Sequence, residues 1–135
     1  MFALEVRDHI MIAHSLKAEA FGPAQQVHGA TFVVDAAFFS KELGPHGIVA
    51  DIGLAADALK AVLAPLNYKN LDDLPEFAGR FSTTEVLAKH IFDGLAEKHR
   101  AGALGPDGAG ISRIKVSLEE SHIARAWYEA DLPPA

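Results

Sequence analysis

The sequence predicts an α+β domain, built as an antiparallel sheet with two helices on one face. Three observations predict it. Residues 2–13 and 27–39 carry the alternation and the β-branched and aromatic content of strands. Residues 54–66, and a second segment opening at Ser82, carry apolar side chains at three- and four-residue spacing. Two more strand-like segments, 111–121 and 123–129, close the chain. The order is β-β-α-α-β-β. Strands and helices are segregated, which indicates an antiparallel sheet.

In the first strand, Phe2, Leu4, Val6, Ile10 and Ile12 share one face, broken by Asp8. His14 continues that face and is expected to point where the core residues point. His9 falls on the other face and is expected in solvent. Residues 15–26 have no clear period, and Phe21-Gly22-Pro23 marks a turn. The second strand starts at Val27 and His28, and His28 and Ala30 share a face by the period of two. Two long strands joined this closely are most simply antiparallel.

Lys41 to Gly47 reads as a polar turn, and Ile48–Ile52 as a short extended piece. Leu54, Ala58, Leu59, Val62, Leu63 and Leu66 mark the first helix, with Pro65 as its stop. Residues 67–75 are loop-like in composition. Ser82-Thr83-Thr84-Glu85 reads as a capping box, with Ser82 as N-cap and Glu85 reaching back to it. Val86, Leu87, Ile91, Phe92 and Leu95 form the buried stripe of the second helix, and Lys98, His99 and Arg100 suit its carboxyl end. Residues 101–110 are glycine-rich and expected to be mobile. Trp127 and Tyr128 are bulky sheet residues, and Trp127 is expected in the core. Leu-Pro-Pro-Ala forms a tail. Four strands leave two open edges, which oligomerisation can cover.

The bulk properties narrow the function. At 135 residues the chain suits a single domain, residues 1–135, with a real core. Half of it is hydrophobic and its formal charge is −6. With no basic run to offset that charge, nucleic acid and anionic membrane are disfavoured as partners. The absence of cysteine excludes disulfides, thiolate nucleophiles and thiolate metal sites. No apolar run approaches the ~20 residues of a membrane span. Glu5 and Asp8 interrupt any signal-peptide layout at the start. A cytoplasmic protein is expected.

Several motifs, in order along nearly the whole chain, resemble the 6-pyruvoyl-tetrahydropterin synthase family, which includes the 6-carboxy-tetrahydropterin synthases. Ile12-Ala13-His14-Ser15-Leu16 is similar to the family's Ala-Ala-His-Arg-Leu, and Val27-His28-Gly29-Ala30 to its His-Gly-His strand start. Gly47-Ile48-Val49-Ala50-Asp51-Ile52 resembles its step into the first helix. Leu66-Asn67-Tyr68-Lys69-Asn70-Leu71-Asp72-Asp73 resembles its Leu-Asp-His-x-x-Leu-Asn-Asp loop. Ser82-Thr83-Thr84-Glu85-Val86-Leu87-Ala88-Lys89 resembles Pro-Thr-Ser-Glu-(apolar)-Leu-Ala-Lys, and Glu119-Glu120-Ser121 falls where the family has Glu-Thr.

The resemblance implies the tunnelling fold, in which sheets of several subunits join into a barrel and stack as hexamers, so a trimer or homohexamer is expected. It implies carbon–oxygen lyase chemistry on a reduced pterin such as dihydroneopterin triphosphate. It also implies zinc held by three histidines, a cysteine and a histidine that move protons, and a glutamate that anchors the pterin ring. His14 and His28 stand at two of the metal positions, but Ala30 stands at the third. Ala24 stands where the cysteine is expected, Tyr68 where the histidine is, and Asn67 beside it where an aspartate is. Glu120 is retained as the anchor, with Thr84 as a second substrate-binding residue.

The residues support these roles unequally. A carboxylate can accept two hydrogen bonds from the amino-pyrimidine edge of a pterin, and Glu119 competes with Glu120 for that role. A zinc site normally has three protein ligands. His9, Asp35, His46 and His122 are the candidates for the third, His122 lying two residues from Glu120. Tyr68 is a weak catalytic candidate, since a phenol near pKa ~10 is a poor base at neutral pH. The losses at Ala24, Ala30 and Tyr68 also fit a catalytically silent pterin-binding or structural homologue.

Overall fold

The computed structural model describes residues 1–134; Ala135, the last residue of the expected tail, lies outside the described residues. Strand β1 (Phe2–His14) and strand β2 (His28–Ser40) are each 13 residues long. They pair antiparallel without a slip, from Phe2 opposite Ser40 to His14 opposite His28. Strand β4 (Ile111–Ser121) pairs antiparallel with β2, and β5 (Ala124–Asp131) with β4. A two-residue strand, β3 (Lys69–Asn70), lies parallel to Ile12 and Ala13 at the other edge. The sheet order is β3-β1-β2-β4-β5. The sheet thus has five strands where the sequence pattern shows four. A two-residue strand carries no periodicity to read.

In all three long strands the even-numbered residues face one side. Ile10, Ile12, Phe32, Val34, Phe38, Ile114, Val116 and Leu118 are buried there. Helix α1 (Ile52–Leu63) and helix α2 (Thr84–Arg100) cover that side with Leu59, Leu63, Leu87, Ile91 and Leu95. The expected arrangement of both helices on one face holds. At the start of β1 the pattern weakens, and Phe2 is exposed.

The opposite face is polar. The Arg7 guanidinium forks onto the Asp35 carboxylate at 2.7 and 3.0 Å. Arg113 pairs with Asp131 and Glu129, and Lys115 lies 4.4 Å from the centroid of Trp127. Trp127 is therefore not a core residue; it is 50% exposed on this face. Tyr128, one residue on, takes the helix side and packs edge-on to Phe92 at 4.9 Å.

Four further expectations need correction. Residues 48–50 bend instead of extending, and Asp51 caps α1, its carboxylate accepting from Leu54 N–H at 2.9 Å. The helix begins two residues before the first apolar repeat and ends at Leu63. The cap of α2 is Thr83, whose hydroxyl accepts from Val86 N–H at 3.3 Å; Ser82 turns inward instead. The glycine-rich segment 101–110 is packed: Leu104, Asp107 and Gly108 are buried. It joins the far end of β2, where the Ser40 hydroxyl donates to Gly110 C=O at 3.0 Å. The length of β2 puts roughly 40 Å between that end and His28, so this segment does not close over the histidines of its own chain.

A second contact clasps the same segment. Asp107 accepts from His46 N–H at 2.9 Å and bonds His46 Nδ1 at 2.8 Å. These bonds hold its carboxyl below the usual carboxylate range. Gly44 allows the approach, since a Cβ there would stand 2.6 Å from Asp107 Cα. Gly44→Ala is expected to destabilise the fold by about 1–3 kcal/mol, read as a lower urea midpoint at unchanged slope. An aspartate with a depressed folded pKa contributes stability above its unfolded value, and that contribution is lost as pH falls through the folded value. Asp107→Asn should therefore melt below wild type at pH 7, with the gap narrowing as pH drops below about 4. A gap independent of pH would show that charge plays no part in the clasp.

Candidate functional site

The site forms where the β1–β2 ladder ends. Strand parity places His14 and His28 on the helix side, directly across from each other. Their ring centroids are 4.6 Å apart and the planes cross at 61°. His14 is 4% exposed, and His28 is half-buried over it. His14 Nδ1 lies 3.0 Å from both Ser82 C=O and Ser82 Oγ, and His28 Nδ1 lies 2.8 Å from Gln26 C=O. A carbonyl can only accept. The hydrogen-bond network therefore assigns the proton to each Nδ1, and each Nε2 keeps a lone pair.

Burial pushes the pKa of the His14 imidazole below its ordinary value, and the neighbouring His28 acts in the same direction. The bond to Ser82 C=O and the charges of Glu120 and Asp72 oppose the shift without cancelling it. His14 is thus held as a neutral imidazole at pH 7.

The same end holds a second, part-buried contact. The Ser15 hydroxyl donates to Asp72 Oδ2 at 2.5 Å, and Ser15 N–H reaches Oδ1 at 3.2 Å. Burial alone would raise the pKa of Asp72, but the two bonds from Ser15, with His14 and Lys17, lower it. This carboxylate ties the segment after β3 to Ser15, the residue that follows His14.

Glu119 and Glu120 part company at the end of β4. Glu119 pairs with Val33 and its charge acts on Arg7, on the polar face. The charge of Glu120 acts on His14, on the helix side. The pairing of β4 with β5 slips between Glu119 and Ser121, so Glu120 sits at a bulge. Bulges re-aim side chains at the rims of sheets. Thr84 opens α2 two residues beyond Ser82 and is half-buried. The two histidines, Glu120 and Thr84 therefore gather at one end of the fold.

The other candidates are scattered. His9 and Asp35 lie on the polar face. His46 is bound to Asp107 at the far end. His122 is exposed in the turn between β4 and β5. Ala30, on the next rung, faces Ile12 and has no donor atom. Among the described residues no three His, Cys, Asp or Glu side chains form a group able to hold a metal.

Tyr68 lies beside the β1 edge at a φ of 60° and is 77% exposed. Its N–H donates to Met11 C=O at 2.7 Å, and Asn67 Oδ1 accepts from Met11 N–H at 3.0 Å. The pair clasps the strand edge. Ala24 C=O accepts from Leu16 N–H at 2.9 Å, which ties the connecting loop to the end of β1. A cleft of about 890 Å³ lies at the opposite end, between the last turns of α2 and Leu132–Pro134. Its charged groups are already engaged, Arg100 with Glu97 and His99 with Gly108 C=O.

Reading the sequence missed Ser82, Ser15 with Asp72, and Asn67 as partners. A serine before a helix reads as a cap, and nothing local distinguishes one turned toward a distant histidine.

Comparison with known proteins agrees with this fold. The sequence profile described as 6-pyruvoyl tetrahydropterin synthase matches residues 3–131. The 6-pyruvoyl tetrahydropterin synthase of Caenorhabditis elegans superposes with a TM-score of 0.77 at 24% identity, over 96% of this chain and 95% of that one. The Plasmodium falciparum enzyme gives 0.72 at 18% identity, over 96% and 98%. A catalytic-residue mutant of the Plasmodium vivax enzyme gives 0.74 at 16%, over 96% and 98%. These likenesses establish that the chain has the subunit fold of these proteins. The profile, covering nearly the whole chain, carries the assignment further: the chain belongs to the 6-pyruvoyl tetrahydropterin synthase family.

Proposed function

We propose that this protein binds a reduced pterin, such as dihydroneopterin triphosphate, at the end of the sheet where His14, His28 and Glu120 converge. The observation that carries the reading is the pairing of His14 and His28 across the end of the β1–β2 ladder, their rings 4.6 Å apart, with Glu120 at the bulge that ends β4 near enough for its charge to act on His14. Glu120 accepts the two N–H groups of the amino-pyrimidine edge, a charge-assisted pair that sets the ring's orientation. Thr84 supplies a hydroxyl beside it. His28 covers the other side and, with His14, faces the substituent of the ring.

The family's zinc is not carried over intact, because Ala30 supplies no ligand. The family's proton pair is also absent, with Ala24 and Tyr68 in its place. Any reaction is therefore one that does without that pair, with Tyr68 the candidate at the histidine's position, or there is none. Tyr68 stands at the β1 edge with its phenol in solvent, so it serves a site only across a subunit boundary. Among the described residues, β1 is unpaired along most of its outer edge, and β5 is unpaired on its outer side. Edges of this length favour assembly into the expected trimer or hexamer.

A second reading, a pterin-binding protein without turnover, is favoured by the same three positions, Ala24, Ala30 and Tyr68. Dihydroneopterin triphosphate, incubated with the protein in the presence and absence of added zinc, separates the two. Under the enzyme reading, product forms and Tyr68→Phe lowers kcat. Saturable binding with no product leaves the binding protein.

The anchor is tested independently of turnover. Glu120→Gln is expected to weaken pterin binding about tenfold or more, from the loss of charge-assisted hydrogen bonds worth ~1.5–3 kcal/mol. Glu119→Gln, on the opposite face, is expected to change it less than about twofold. Fluorescence titration with neopterin reads both. Equal losses in the two variants would sink the assignment of Glu120.

A further inference from the structure

We propose that residues 16–27 form a lid over the histidine end of the sheet, latched by Phe21 against Phe81, and that a ligand enters when this latch opens. The proposal rests on the reading above that the ligand binds at this end; the latch itself is tested without a ligand.

Four observations carry it. The segment joins the end of β1 to the start of β2, so it stands where His14 and His28 face each other. Its hydrogen bonds are internal. Leu16 N–H donates to Ala24 C=O at 2.9 Å, Gln26 N–H to Pro23 C=O at 3.2 Å, and Lys17 Nζ to Gln25 C=O at 2.8 Å. Among the described residues, the one bond from it to a strand side chain is that of Gln26 C=O with His28 Nδ1. None of its side chains is buried. A segment with so few buried contacts opens at far smaller cost than the core.

The fourth observation is the single aromatic contact that holds it down. The rings of Phe21 and Phe81 lie 5.3 Å apart, with planes at 58°. Gly22, at a φ of 53°, makes the bend beside Phe21, a conformation that glycine adopts readily. Phe81 is half exposed and directly precedes Ser82, which holds His14. The contact therefore draws the segment toward the entry of α2, on the side that both histidine rings face. With the latch shut His14 is 4% exposed, which leaves no approach for a ligand. The other neighbours of His14 are fixed, Ser82 by its bonds and the strands by their register. Residues 16–27 are the part that moves with least loss, and withdrawal of Gln26 also frees the His28 ring to turn.

The test reads access to His14 in the full chain with diethyl pyrocarbonate, which acylates a neutral imidazole nitrogen. His14 is neutral at pH 7, so its rate reports exposure. His9 is exposed and falls on the same tryptic peptide, residues 8–17, where it serves as internal standard. In wild type His9 is expected to react well before His14. Phe21→Ala and Phe81→Ala are each expected to raise the His14 rate about two- to tenfold, the hold of one aromatic pair. The double variant should be no faster than the quicker single, because either change releases the same latch. Phe81→Tyr keeps the ring and should stay near wild type. Phe2→Ala removes an exposed ring at the far end of β1 and should leave the His14 rate unchanged. Neopterin association, followed by stopped-flow fluorescence, should quicken in Phe81→Ala.

Four results overturn the proposal. An unchanged His14 rate in both single variants would mean that the segment does not cover the ring. Single effects that multiply in the double variant would mean that Phe21 and Phe81 do not act as a pair. An equal rise in Phe2→Ala would show general loosening in place of a latch. Equal neopterin association in wild type and Phe81→Ala would remove the latch from the path of entry. Failure of neopterin to bind any variant counts against the pterin reading alone, since the acylation rates still decide whether the latch exists.

Discussion

The unbroken register between β1 and β2 is the constraint on which the rest of the molecule depends. Side chains alternate with a period of two, so one slip would move every core residue of a strand to the polar face. The register is therefore set by Val6, Ile10, Ile12, Phe32, Val34 and Phe38 together, all buried against the helices. His14 and His28 sit at the end of the same ladder and inherit its parity. Their pairing follows from the hydrophobic core and needs no local device. The fold thus delivers two imidazoles to one place as a consequence of burying aliphatic side chains some distance away.

Burying His14 has a cost, and the neighbouring loops meet it. A polar group removed from water needs a partner or it destabilises the fold. Ser82 offers both its carbonyl and its hydroxyl, and gives up the capping role to Thr83 in doing so. Ser15 and Asp72 satisfy each other alongside. Among the described residues no buried side-chain nitrogen or oxygen lacks a partner. A network satisfied this fully holds its members in single rotamers. The one strained element nearby is Tyr68, whose left-handed backbone costs roughly 1–2 kcal/mol. Two hydrogen bonds with Met11, one accepted by Asn67 Oδ1 and one donated by Tyr68 N–H, hold it in that conformation. The backbone of Tyr68 is thereby fixed while its phenol stays in solvent.

Much of this was legible in the sequence where a long repeat made the argument. The alternation along β1 placed His14 inward and His9 outward, and the helical stripes placed both helices on one face. Reading failed wherever one residue decided the outcome. Ser82 and Thr83 are both good caps, and only the distant His14 selects between them. Trp127 has the bulk of a core residue, but parity assigns the helix side to Tyr128 and leaves the indole to Lys115 and Glu129. Glycine content alone suggested mobility at 101–110, yet at Gly44 and Gly110 the absence of Cβ permits tight approach. Glu119 and Glu120 could not be separated by composition. The bulge that accompanies their divergence depends on a partner strand whose register the sequence does not display.

The departures from the family pattern fall on residues that the scaffold does not need. Ala24 contributes its backbone carbonyl to the loop, which any residue would supply. Ala30 is half-buried at the strand end, outside the fully buried core. Tyr68 is exposed, and its fixed contact is through its backbone N–H. Exchange of side chains at such positions costs the fold little, since surface and rim substitutions usually change stability by less than about 0.5 kcal/mol. Exchange at Ile10 or Phe38 would cost several times more. Side chains at these positions can therefore change while register and core remain. That separation is why membership of the family assigns the fold securely, and why the reaction must be argued from His14, His28 and Glu120 themselves.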